Sequence, residues 1–164
     1  MAEDYFLKID GIPGDSRDNK HKDEIKVLTW SWGETNQGSQ GDHDRVKGKV
    51  NMHDLTFSMH VCKASPKLFL HCATGKEIKE AILTCRKSGA SGKQEDYFKI
   101  KLTDLVVSNY QTGGNATGAG GDVVPLEQIG LNFTKIHVSY IPQAKGGPGP
   151  ELTHWYDVGE QTSG

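Results

Sequence analysis

Along most of this chain apolar side chains recur at every second position, the period of strands with one buried face. Tyr5, Leu7 and Ile9 share one face of a short first strand. A polar loop runs from about Gly11 to Asp23, with Pro13-Gly14 as its turn signal. The next strand is expected from Ile25 to Trp32. Leu28, Trp30 and Trp32 take one face as the core face, and Val27, Thr29 and Ser31 take the other, polar one. From Gly33 to Gly48 the chain is long, polar and without alternation, which predicts a structureless, partner-binding arm. Beyond it Val50 and Met52 agree in parity, whereas Leu55, Phe57, Met59 and Val61 take the opposite one. A one-residue slip would turn every side chain to the wrong face, so a bulge is expected near His53-Asp54.

One segment breaks the alternation. Ser65 suits a helix N-cap, Pro66 the first helical position and Gly75 the left-handed C-terminal position, which brackets about two turns. So short a helix is stable only when packed on something apolar. Strands resume at roughly Ile78–Arg86 and Tyr97–Tyr110, joined by a hairpin loop, Lys87 to Gly92. A glycine-rich loop covers Gly113 to Gly121. The last long strand, about Val123 to Ile141, changes phase between Ile129, Leu131, Phe133 and Ile136, Val138, Tyr140. A third loop, Gly146 to Pro150, precedes an aromatic tail at Trp155-Tyr156. The expected fold is all-β: a small β-barrel or sandwich of two antiparallel sheets, with one short flanking α-helix at about residues 65–74.

Composition narrows the function. The 164 residues fit one domain spanning residues 1–164, large enough to build its own core. A formal net charge of −2 with both signs dispersed argues against a nucleic-acid binder. Arg45, Lys47 and Lys49 lack the interleaved aromatics of a single-strand platform and are assigned to a solvated edge. Apolar runs such as Leu68-Phe69-Leu70 are far short of a membrane span, so no membrane insertion is expected. Met1-Ala2-Glu3-Asp4-Tyr5 has neither a basic nor an apolar leader region, which points to synthesis in the cytoplasm. There Cys62, Cys72 and Cys85 stay reduced.

Motifs for chemistry are sparse. Gly-x-Ser-x-Gly is absent. Ala73-Thr74-Gly75-Lys76 imitates the end of a P-loop, but Leu70 holds the upstream glycine position and Glu77 replaces the Ser or Thr. His60-x-Cys62 and His71-Cys72 sit on a strand and a helix without paired metal-ligand spacing. Glu95-Asp96 and Asp42/Asp44 fall in polar loops as solvated charge. No catalytic residue, cofactor or metal is therefore expected.

Longer blocks are more telling. Glu24-Ile25-Lys26-Val27-Leu28-Thr29-Trp30-Ser31-Trp32-Gly33 resembles the second-strand signature of the haemolysin-coregulated protein (Hcp) family. Lys63-Ala64-Ser65-Pro66-Lys67-Leu68-Phe69-Leu70-His71-Cys72-Ala73-Thr74-Gly75-Lys76 resembles its single helix. Lys99 to Ser108 and Leu131 to Ile136 extend the likeness in the same order over nearly the whole chain. Departures concentrate in Gln40–Val46, Asn115–Asp122 and the tail after Pro142.

The resemblance implies a structural subunit of the type VI secretion system inner tube, not an enzyme. It implies a homohexamer closing into a ring, and stacked rings forming a hollow tube. The implied partners are a valine-glycine repeat spike protein, sheath proteins and small effector proteins carried in the lumen. It also implies export without a cleaved signal peptide. Within that frame Gln37, Gly38, Gln40, Asp42, His43 and Arg45 are candidates for a ring-stacking arm, and Thr29 and Ser31 for the lumen wall. Two other readings compete. A monomeric carbohydrate- or peptide-binding module would need Trp30, Trp32 and Trp155 in one concave site. An effector enzyme would need an added catalytic domain.

Overall fold

A computed structural model describes residues 3–40, 45–46, 48–89, 92–114 and 124–164, with backbone alone at 39–40 and 45–46. Its strands are β1 (Asp4–Ile9), β2 (Ile25–Val27), β3 (Thr29–Ser31), β4 (Glu34–Asn36), β5 (Ser39–Gln40), β6 (Arg45–Val46), β7 (Val50–Met52) and β8 (Leu55–His60). Helix α1 (Ser65–Thr74) follows, and then β9 (Ile78–Ser88), β10 (Gln94–Gly113) and β11 (Leu126–Tyr140). β12 (Gln143–Ala144), β13 (Gly147–Pro148), β14 (Leu152–Asp157) and β15 (Thr162–Ser163) complete the order.

The main sheet is antiparallel, in the order β15-β14-β11-β10-β9-β1-β2, with β8 pairing both β11 and β3. β11 is shared: Lys135–Tyr140 pairs with β14, and Leu126–Leu131 pairs with β8. The changeover lies at Thr134, whose hydroxyl donates to the Asp104 carbonyl at 2.9 Å. There Asp104 adopts a left-handed φ of 49°. That corner is the phase change expected after Phe133: Ile129, Leu131 and Phe133 face the core before it and Ile136 after it. The two layers so formed enclose one apolar core centred on Leu7, Leu55, Phe57, Leu83, Leu102 and Leu131.

The strand expected over Ile25–Trp32 is interrupted. Ile25–Val27 pairs with β1, Thr29–Ser31 pairs with β8, and the chain crosses between them at Leu28. The inward parity changes at that crossing, so Val27 is buried at 3% exposure while Leu28 is 38% exposed. Both assignments are therefore corrected, although Trp30 and Trp32 do pack on the core. The ends of the sheet meet at this kink, and among the described residues the hydrogen bonding does not close as a continuous barrel.

The Gly33–Gly48 segment is not structureless. β4 pairs with β7 and β5 with β6, so it forms a hairpin arm. The expected bulge at His53-Asp54 is instead a change of sheet, since β7 belongs to the arm and β8 to the main sheet.

α1 lies against β10 and buries only Ser65 and Leu68. Ser65 is the first helical residue and not its N-cap; Ala64 holds that position without a side-chain cap. The Ser65 hydroxyl is engaged elsewhere, as described below. Gly75 ends the helix as expected, with φ 67° and its N–H donating to the His71 carbonyl at 2.9 Å.

Candidate functional site

The outer face of β3 and β8 is a field of hydroxyls. Alternation sends Trp30 inward, so its neighbours Thr29 and Ser31 emerge on the exposed side, as expected. Each meets a hydroxyl on β8: Thr29 and Ser58 oxygens lie 2.6 Å apart, and those of Ser31 and Thr56 2.8 Å. Further along the same sheet, Asp54 accepts from Ser108 at 2.7 Å and from the Asn132 amide at 2.8 Å. The face is polar, nearly uncharged and already hydrogen-bonded to itself.

The arm leaves this face at Gly33. Gln37 and Gly38 are exposed on it, and Gln40 and Arg45 are opposite each other in the β5–β6 pairing. Asp42 and His43 lie outside the described residues. Gly48 permits the narrow neck: a Cβ there would strike the Gln37 backbone, and the Gly48 carbonyl accepts from the Asn36 amide at 3.2 Å.

Two buried polar clusters escaped the sequence reading. In the first, Glu127, 2% exposed, accepts from the hydroxyls of both Ser65 and Tyr110, while the Ser65 oxygen accepts from the Cys62 N–H at 3.0 Å. This pins the start of α1 to β10 and β11 and explains why Ser65 caps nothing. Burial, followed by the Glu127 hydrogen bond, pushes the Tyr110 phenol up to about 12. A signal existed: Glu127 shares the parity of Ile129, Leu131 and Phe133 and so had to point inward.

In the second, Arg86, 5% exposed, donates to Asp18 at 2.8 Å and Asp4 at 3.2 Å and lies over the Phe6 ring at 4.7 Å. His21 stacks on Phe6 at 4.5 Å and contacts Glu24 at 2.9 Å and Asp96 at 3.1 Å. The cluster fastens the Gly11–Asp23 loop over the sheet. A cavity of about 580 Å³ opens beside it, rimmed by Leu28 and Val61. No periodicity announces this cluster, because Arg86 meets Asp4 and Phe6 of β1 and Asp18 of the loop, partners far along the chain.

Burial pushes the Cys85 thiol up to about 12 and raises that of Cys62. Among the described residues no three His, Cys, Asp or Glu side chains stand together as a metal site, and no helix is long and apolar enough to cross a membrane. The tryptophans occupy separate neighbourhoods. Trp30 packs with Tyr5 and Phe98, Trp32 with Phe133, and Trp155 with His137 beneath the Lys135 ammonium.

Comparison with known proteins agrees with this architecture. Residues 6–140 match the family model described as type VI secretion system effector, Hcp. The protein hcp1 of Pseudomonas aeruginosa is 39% identical over 159 residues, covering 94% of this chain and 95% of that protein. The crystal structure of Hcp1 from Salmonella typhimurium superposes with a TM-score of 0.78 at 36% identity, covering 99% of each chain. A structure described as a type six secretion system protein reaches a TM-score of 0.88 at 26% identity, over 99% of this chain and 100% of that one. The chain belongs to the Hcp family of type VI secretion proteins.

Proposed function

We propose that this chain is the structural subunit of a type VI inner tube, acting by assembly and not by catalysis. Six copies close into a ring, rings stack, and the β3–β8 face with Thr29 and Ser31 lines the bore. What carries this is the β3–β8 surface of an Hcp-family chain: a wide face of self-satisfied hydroxyls bordered by a projecting hairpin. Such a face suits the wall of a conduit, since its hydroxyls are paired with one another and its one named charge, Asp54, is already hydrogen-bonded. Small effectors would travel in the bore, a valine-glycine repeat spike would cap the tube and a sheath would surround it. The subunit would be made in the cytoplasm and leave the cell with the tube.

Size-exclusion chromatography with light scattering should give a particle of six subunits, and negative-stain micrographs should contain rings. Single subunits at every micromolar concentration, with no annular particles, would overturn the proposal. The arm has a separate expected role. Deleting residues 37–46 and joining the neck should leave rings intact while shortening or abolishing stacks. Tubes of ordinary length from the deletion would remove Gln37, Gly38, Gln40, Asp42, His43 and Arg45 from ring stacking.

A further inference from the structure

α1 is unusual for a helix packed on a sheet. Of its apolar side chains Leu68 is buried, while the larger Phe69 is 57% exposed and Leu70 55% exposed. Phe69 meets the Tyr110 ring edge-on, with ring centroids 6.3 Å apart. The flanks are basic: Lys63, Lys67, Lys76 and Lys79 stand against the single acid Glu77 between residues 63 and 79, in a chain of net charge −2. Lys63 lies 3.7 Å from Asp23 and the Lys67 ammonium donates to the Gly11 carbonyl at 3.0 Å, whereas Lys76 and Lys79 have no ion pair among the described residues. An exposed apolar pair in a basic rim marks an interaction surface.

The complementary surface is on the same chain. From Gly146 to Gly164 there are three acids, Glu151, Asp157 and Glu160, and no lysine or arginine. Leu152, 57% exposed, is paired across β14 and β11 with Tyr140, 42% exposed, and the two form an apolar pad beside Glu151. Lys135, paired with Asp157 on β11, has its ammonium laid on the Trp155 ring at 4.1 Å. β15 and Gly164 pair with Trp155, Tyr156 and Asp157, so among the described residues the start of β14 at Leu152–His154 keeps an open edge.

These two surfaces cannot meet within one molecule. α1 sits at the Glu127–Ile129 end of β11, through Ser65 and Tyr110, and Leu152 at the Tyr140 end. At ~3.4 Å per residue the stretch of β11 from Ile129 to Tyr140 spans roughly 37 Å along the strand. Between copies they can meet, and a contact joining two different patches is heterologous, closing into a ring or extending as a fibre.

We propose that the Phe69/Leu70 face of α1 on one copy docks on the acidic β14–β15 hairpin of the next, with Lys76 and Lys79 facing Glu151 and Glu160. This rests on the self-association proposed above and names the surfaces that make it.

Paired cysteines test it. In a Cys62→Ser/Cys72→Ser background, a chain carrying both Leu70→Cys and Leu152→Cys should give a ladder of disulfide-linked multimers under mild oxidation. Chains carrying either substitution alone should give none. Independently, Lys76→Glu with Lys79→Glu should weaken association at least tenfold in sedimentation velocity, and adding Glu151→Lys with Glu160→Lys should restore it. A wild type that associates, with no ladder and no response to charge reversal, overturns this contact and leaves self-association standing. A wild type that stays monomeric throughout overturns both.

Discussion

Glu127→Ala is expected to lower the stability of the fold by about 3 kcal/mol, the larger part of it from the buried Ser65 hydroxyl and the half-buried Tyr110 hydroxyl losing their shared acceptor. Ser65 and Tyr110 both donate to that carboxyl group, which is itself 2% exposed. For a chain of this size the loss corresponds to a fall in Tm of roughly 10 °C. Glu127→Gln keeps an acceptor oxygen and should lose about 1 kcal/mol. The same variants have a spectroscopic signature. The Tyr110 phenol, raised from 10.0 to about 12, stabilises the fold fully below pH 10, and that contribution is lost as pH climbs toward 12. In Glu127→Ala the Tyr110 ionisation should move back toward 10.0, visible in ultraviolet difference absorbance. Urea denaturation giving an alanine variant within ~0.5 kcal/mol of wild type would exclude this role.

Arg86→Met should cost about 2–3 kcal/mol. Breaking a buried pair by removing one partner is worth somewhat more, but Asp4 and Asp18 keep 25% of their side chains in water and recover part of the loss. The effect should be local first. The Gly14 N–H donates to the Asp23 carbonyl at 2.7 Å and the Ser16 N–H to the Glu24 carbonyl at 3.0 Å. Both amides should exchange with solvent much faster in the variant. Acid should do the same to the wild type. Burial tends to raise the Asp18 pKa, but the Arg86 guanidinium and the N–H groups of Lys20 and His21 outweigh it and hold the group below its ordinary 3.8. A lowered carboxyl stabilises fully above 3.8 and loses that contribution as pH falls through its native value. Arg86→Met should abolish most of this acid dependence of the loop. Unchanged exchange at both amides in the variant would show that the loop is held by something else.

Period two was enough to find the long strands, and two breaks of phase located the corner at Thr134 and the change of sheet at His53-Asp54. Gly75 was legible because only a left-handed backbone position demands that residue so locally. Other features depend on partners far along the chain. Leu28 has the apolarity of a core residue, and only the transfer of its strand from β1 to β8 turns it outward. Ser65 has the chemistry of a cap, but Glu127, 62 residues away, takes its hydroxyl. Glu34–Asn36 and Ser39–Gln40 are polar at every position, so pairing makes them strands where pattern does not. At the candidate bore, Thr29 and Ser31 followed from the inward turn of Trp30, whereas Thr56 and Ser58 became their partners only through a register that no single strand encodes.

The hairpin of β10 and β11 keeps its pairing from Phe98–Tyr140 to Gly113–Leu126 through the corner at Asp104, slipping register only between Val107 and Asn109. Mechanically this makes it a single beam. A pull or push applied at the β14 end reaches α1 through many cross-strand bonds strained side by side, and these must yield together instead of unzipping in turn. A subunit driven lengthwise would therefore transmit thrust across its whole height before either layer could shear from the other.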